Sequence, residues 1–65
     1  MILQDVQEIR ENMHLSQSAF AGMLGVSTRT LQDWEQGRRK PSGPALSLLR
    51  IAAVRPDAIR EAIAS

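Results

Sequence analysis

The chain has 65 residues, no cysteine and a formal net charge of +1. This length allows one domain, spanning residues 1–65, and a domain this small buries only about 60% of the surface that its unfolded chain exposes. The absence of cysteine excludes a disulfide framework and a cysteine metal site. The net charge alone does not indicate a nucleic-acid ligand, so an indication of function must come from how the residues are arranged.

Membrane insertion and secretion are not predicted. No apolar run approaches the ~18 residues that are needed to span a membrane. The first residues, Met1–Asp5, lack the basic segment and the long apolar segment of a signal peptide. We therefore expect a cytoplasmic protein without a membrane partner.

The first predicted helix begins at Asp5, whose carboxylate can accept a hydrogen bond from a free backbone N–H of the first turn. Glu8, three residues later, completes a capping-box pattern. We expect this helix to end within residues 12–14. Apolar side chains at helical spacing define its buried face: Val6, Ile9 and Met13.

Two more short helices follow. One is predicted over Gln17–Leu24, with Ser16 as its N-cap, and Gly25 ends it because glycine adopts the left-handed conformation at little cost. The other is predicted from Thr28 to about Gln36, with Ser27 as its N-cap. The apolar residues expected to anchor these two helices are Phe20, Ala21, Leu24, Val26, Leu31 and Trp34.

Gly37 ends the third predicted helix and is followed by a basic loop, Arg38–Ser42. A fourth helix is predicted from Pro44 to about Val54, because the missing N–H of proline does no harm in a first turn. A fifth helix begins at Pro56. No segment shows the period-two alternation of a strand, so the prediction is an all-α unit of five short helices.

Two short helices joined by a tight glycine turn form the core of a helix-turn-helix motif, here residues 17–36. Ala21 is small enough for the two helices to cross closely, and Gly25 supplies the positive φ of the turn. The outward face of the second helix is polar and free for a ligand: Ser27, Thr28, Arg29, Thr30, Gln32, Asp33 and Gln36.

The run LSQSAFAGMLGVS, residues 15–27, and the run WEQGRRKP, residues 34–41, resemble the Cro and phage-repressor (XRE) family. More narrowly, residues 29–46 are similar to the DNA-binding part of HigA-type antitoxins. The resemblance covers about residues 6–55 and implies a lambda-repressor-like fold and a repressor of its own operon. The alternatives are a free-standing XRE-type regulator and a helical protein-interaction module without DNA binding.

The resemblance implies that the helix beginning after Ser27 enters the DNA major groove. Arg29 is the main candidate for reading a base, because a guanidinium bonds two acceptors of guanine, worth roughly 1–3 kcal/mol of discrimination; phosphate binding is its alternative. Asp33 either accepts from a cytosine amino group or holds Arg29 in place. Thr28 contacts a thymine methyl or a phosphate, and Gln32 pairs with adenine or is solvated.

Contacts to the DNA backbone are expected from six residues: Gln17, Ser27, Thr30, Arg38, Arg39 and Lys40. Gln17 is at the N-terminus of a helix, which suits a phosphate. For Ser27 a role as helix cap alone is the alternative. The three consecutive basic residues are expected to add salt-dependent affinity without sequence choice, and a solvated turn is their alternative.

Several other residues are not expected to contact a ligand. Trp34 is predicted to be a core anchor, and the resemblance implies a partly buried ion pair between Arg10 and Glu35. His14, the only histidine, is expected in a solvated loop. The sequence contains no activated nucleophile, paired carboxylates, phosphate loop or metal-ligand set, so we predict neither an enzyme nor a cofactor.

A homodimer is expected because the fourth helix is apolar nearly all round, and such a helix needs two partners. Its predicted core stripe is Ala45, Leu46, Leu49, Ala52 and Ala53. The predicted dimer interface is Leu48, Ile51, Ile59 and Ile63. In the alternative, the fifth helix folds back over Leu48 and Ile51 in a monomer.

A two-fold dimer places two recognition helices about one DNA turn, roughly 34 Å, apart, which fits a palindromic operator. The resemblance further implies a bacterial protein associated with the nucleoid. It also implies a cognate toxin, which HigA-like antitoxins bind through an additional segment.

Overall fold

The computed structural model describes residues 5–64, with side chains over residues 5–62. Five helices and no strand are present over residues 5–64, which confirms the all-α prediction. The helices are α1 (Val6–Asn12), α2 (Gln17–Leu24), α3 (Thr28–Glu35), α4 (Gly43–Val54) and α5 (Pro56–Ala64). α4 starts one residue earlier than predicted and ends at the predicted Val54, and α5 begins at the predicted Pro56. No helix within the described range is long and apolar enough to cross a membrane.

The first three helices begin at the predicted N-caps. Each capping side chain accepts a hydrogen bond from the backbone N–H three residues later, at 3.1–3.2 Å: Asp5 from Glu8, Ser16 from Ala19, and Ser27 from Thr30. Each bond satisfies one of the N–H groups that a helix start leaves without a partner inside the helix. These starts are therefore determined by local residues.

The first three helices also end in one common way, with a residue in the left-handed conformation. At the end of α2 this residue is Gly25 (φ 75°), and the next N–H, of Val26, donates to the carbonyl of Ala21 at 3.0 Å. Gly37 (φ 78°) ends α3 in the same way. The corresponding residue after α1 is His14, which is exposed and has a φ of 58°.

The core lies between the five helices and takes a buried face from each. α2 packs on α3, α4 packs on α5, and α1 lies against α3 and α4. The buried apolar side chains are Val6, Ile9, Met13, Phe20, Ala21, Leu24, Leu31, Trp34, Ala45, Leu49, Ala52 and Ile59. Of the predicted anchors of α2 and α3, only Val26 is partly rather than fully buried.

Two expectations for α4 and α5 are wrong. Ala53, placed in the predicted core stripe, is exposed. Ile59, placed in the predicted dimer interface, is only 5% exposed and belongs to the core of its own chain. The reason is that α5 folds back onto α4, so its apolar face closes the core instead of meeting a second copy.

Two arginines hold the α5 segment. The Arg60 guanidinium donates to the backbone carbonyl of Met13, which ties α5 to the end of α1. At the start of α5, the Arg55 guanidinium donates to the Asp57 carboxylate at 3.2 Å. This hydrogen bond lowers the pKa of Asp57 below its ordinary value. Both side chains of the pair are largely exposed, so the pair orients the start of α5 but adds little stability.

The turn at Gly25 yields a test. A Cβ at Gly25 would meet nothing within 4 Å, so the cost of Gly25→Ala comes from the left-handed backbone alone. We expect this substitution to lower the free energy of unfolding by about 1 kcal/mol, measured by urea unfolding followed by circular dichroism.

Gly22→Ala is the matched control, since a Cβ there also meets nothing within 4 Å but the residue is inside α2. Alanine favours a helix interior, so this variant should be more stable by about 0.5–1 kcal/mol. Shifts of the same sign in both variants would contradict the role assigned to the turn.

Candidate nucleic-acid interface

The polar side of α3 stands clear of the protein. Leu31 and Trp34 bury the opposite side of this helix. Thr28 and Arg29 are exposed, and the Arg29 side chain is 79% exposed. Gln32 is half-buried at the side of the helix that faces α2. The turn at Gly25 thus presents the first turns of α3 to solvent on a rigid, packed support.

A partly buried ion pair holds α3 against α1, as predicted. Arg10 Nε donates to Glu35 Oε2 at 2.7 Å, and Arg10 Nη2 donates to Glu35 Oε1 at 3.4 Å. Arg10 Nη1 also donates to the carbonyl of Leu15, at 2.9 Å, just before α2 begins. The Glu35 side chain is 4% exposed. The pair therefore connects three helices.

Gln17 extends this pair towards the surface of α3. Its Nε2 donates to Glu35 Oε1 at 3.0 Å, and its Oε1 accepts from Gln32 Nε2 at 3.3 Å. Gln17 was predicted to contact a phosphate, and the structure shows an internal role that the sequence analysis missed. An amide nitrogen carries two N–H donors, so one remains for a phosphate.

Asp33 faces two arginines. Its Oδ1 is 3.7 Å from Arg29 Nε and 3.7 Å from Arg38 Nη1. The Asp33 side chain is 15% exposed, whereas that of Arg38 is 63% exposed. Arg39 and Lys40 are exposed beside Arg38 in the segment that follows α3. The exposed face of α3 and the basic segment therefore meet at one carboxylate.

The hydroxyl groups of Ser27 and Thr30, at the start of α3, differ in whether they can still donate a hydrogen bond. Ser27 Oγ accepts the capping bond and donates its own hydrogen to Thr30 Oγ1 at 2.9 Å. Since a hydroxyl has one hydrogen, Ser27 has no donor left for a phosphate in this arrangement, whereas Thr30 keeps its own. Of these two expected backbone contacts, Thr30 is thus better placed.

Among the side chains that the structure describes, no group of three or more His, Cys, Asp or Glu residues is arranged to hold a metal ion. What the described residues do present is a helix pair with a buried support and an exposed polar face with flanking cations. This combination defines a helix-turn-helix DNA-binding domain.

The helix-turn-helix family matches residues 6–52, and the chain belongs to the XRE-type group of this family. It is a DNA-binding domain. No solved structure gave a significant match.

Three kinds of curated relative match the chain. Antitoxin HigA-2 of Vibrio cholerae serotype O1 is 40% identical over 55 residues, which are 85% of this chain and 53% of that protein. The HTH-type transcriptional regulator YiaG of Escherichia coli K12 is 35% identical over 52 residues, 80% of this chain and 54% of that protein. The type II methyltransferase M.SsoII of Shigella sonnei is 42% identical over 48 residues, 69% of this chain and 13% of that protein. The chain thus spans about half the length of the first and second of these relatives.

The partly buried ion pair yields a second test. Glu35→Leu leaves the Arg10 guanidinium without its carboxylate, and we expect a loss of about 3 kcal/mol in the free energy of unfolding. The double variant Arg10→Met/Glu35→Leu removes both charges and should be more stable than Glu35→Leu alone. Urea unfolding of the three proteins measures this, and a double variant less stable than the single one would contradict it.

Proposed function

We propose that the chain binds a specific operator in double-stranded DNA and represses transcription there, with α3 in the major groove. The observation that carries this proposal is the exposed polar face of α3 with Arg29 79% exposed. Only a face free of intramolecular packing can reach base edges, and an α-helix fits the major groove. The buried Leu31 and Trp34 keep this face directed outwards.

Within this proposal, Thr28, Arg29 and Gln32 are the base-reading residues, and Asp33 belongs to the same face. Arg29 offers a guanine two parallel donors. Ser27, whose one hydroxyl hydrogen goes to Thr30, is assigned the role of helix cap. The contacts to phosphates come from other residues around this face: Gln17, Thr30, Arg38, Arg39 and Lys40. They position α3 on the duplex without carrying sequence information.

We further propose that the protein is an antitoxin that represses its own operon in the bacterial cytoplasm, on the nucleoid. The support is the 40% identity to antitoxin HigA-2 over most of this chain. A cognate toxin would be bound outside the helix-turn-helix unit. The second candidate is a transcriptional regulator without a toxin, which the identity to YiaG favours.

A homodimer would complete the operator complex. Ile51 and Val54 of α4 are 42% and 60% exposed, although both are apolar. Leu48, one turn before, is partly buried against the core. We propose that a second copy packs on these three residues, which places two α3 helices on a palindromic site. Ile63 lies outside the described side chains, and the buried Ile59 is no part of this interface.

Arg29→Ala tests the base-reading role. The operator is first selected from random duplexes with the unaltered protein. We expect Arg29→Ala to lose roughly 1–3 kcal/mol of discrimination at one base pair in a mobility shift assay, with an unchanged circular dichroism spectrum. Unchanged selectivity in this variant would refute the assignment.

Arg39→Ala is the matched control, because Arg39 is exposed in the basic segment and not on α3. It should weaken binding to all duplexes equally and reduce the slope of log Kd against log salt by about one. If the unaltered protein gives no salt-sensitive shift with any duplex, the protein-interaction alternative is correct.

Ile51→Glu tests the dimer. A carboxylate at this apolar position should shift the protein to monomer in sedimentation equilibrium, since an unpaired charge is costly in an apolar interface. Ala53→Glu is the control, because Ala53 is exposed but about 200° around the helix axis from Ile51. Equal effects of both substitutions, or of neither, would contradict the proposed surface.

A further inference from the structure

We propose that Asp33 is a positioning residue: it holds Arg29 and Arg38 together and thereby favours selective over general DNA binding. This inference rests on the DNA-binding function proposed above. It replaces direct reading of a base by Asp33 with an action through the two arginines.

The position of the Asp33 carboxylate, behind two arginines, favours this positioning role. Two guanidiniums approach the same oxygen, Oδ1, each at 3.7 Å. The Asp33 side chain is 15% exposed, against 79% for Arg29 and 63% for Arg38. The carboxylate is therefore largely shielded, while the guanidiniums that flank it are open to solvent and to DNA. Groups on the DNA would meet the arginines first.

The backbone of Asp33 acts on the same segment. Its carbonyl accepts from the N–H of Arg38 at 2.8 Å and from the N–H of Arg39 at 3.4 Å. These bonds set where the chain goes after α3. Asp33 thus holds Arg38 through both its carbonyl and its carboxylate, and Arg29 through the carboxylate one helical turn away.

The charge of Asp33 has two opposite effects on binding. A fixed negative charge in a surface that meets phosphates lowers the affinity for every duplex, whatever its sequence. Conversely, a guanidinium already held in one place loses less side-chain freedom when it binds a guanine. Asp33 is expected to weaken general binding and to strengthen discrimination, which is how specificity is built against wrong partners.

Asp33→Asn tests this with the selected operator and an unrelated duplex at two salt concentrations. We expect the variant to bind the unrelated duplex about three- to tenfold more tightly, because one repulsive charge is gone. The ratio of the two Kd values, unrelated to operator, should fall about tenfold as Arg29 loses its restraint. Asp33→Glu keeps the charge and should restore most of the ratio.

Asp57→Asn is the matched control. It removes the same charge from another arginine–aspartate pair, the exposed Arg55–Asp57 pair at the start of α5. It should leave the Kd ratio unchanged, which separates the position of the charge from the net charge. A ratio that changes equally in Asp57→Asn and Asp33→Asn overturns the inference.

A second experiment tests whether Asp33 acts through Arg29. In an Arg29→Ala background, Asp33→Asn should no longer change the Kd ratio, as expected for two coupled residues. An equal fall of the ratio in both backgrounds overturns the inference, because Asp33 would then read a base itself. If the unaltered protein binds every duplex equally, the proposed function fails. If it is selective but Asp33→Asn keeps the same ratio, only this inference fails.

Discussion

The carboxylate of Glu35 lies almost entirely inside the domain, and a charge in such a place requires a partner. Arg10 supplies that partner from α1 and at the same time binds the carbonyl of Leu15 before α2. Gln17 then donates to the same carboxylate from α2. One largely buried charge thus joins α1, α3 and the start of α2, and together with the buried Leu31 and Trp34 it sets which side of α3 faces outwards.

Much of the fold follows from neighbouring residues and was predictable. Asp5, Ser16 and Ser27 cap their helices through side-chain bonds that span three residues, and Gly25 supplies the backbone of its turn without help from distant parts. The errors concern α4 and α5, where the exposure of Ala53 and Ile59 depends on how one helix packs on the other. A periodic pattern indicates an apolar face but does not specify which neighbour covers it.

In the candidate site, too, features that depend on neighbouring residues were predictable, and features that depend on distant contacts were not. The exposure of Thr28 and Arg29 follows from the periodicity of α3. The pairing of Arg10 with Glu35 came from the family resemblance and is confirmed. The bonds of Gln17 could not be deduced from the sequence, because they join residues 15 and 18 positions apart through side-chain rotamers. For the same reason, the sequence left two roles open for Asp33.

The common way in which the first three helices end has a consequence for chain length. After α1, a single residue lies between the left-handed His14 and the next cap, Ser16, and a single residue also lies between Gly25 and Ser27. The connections between α1 and α2 and between α2 and α3 are therefore too short to absorb an inserted residue, which would displace the N-cap of the next helix. The stretch between Gly37 and α4 is longer and exposed over most of its length. Insertions are therefore tolerable there, in the segment that carries the basic residues, while the helix pair ahead of it keeps its dimensions.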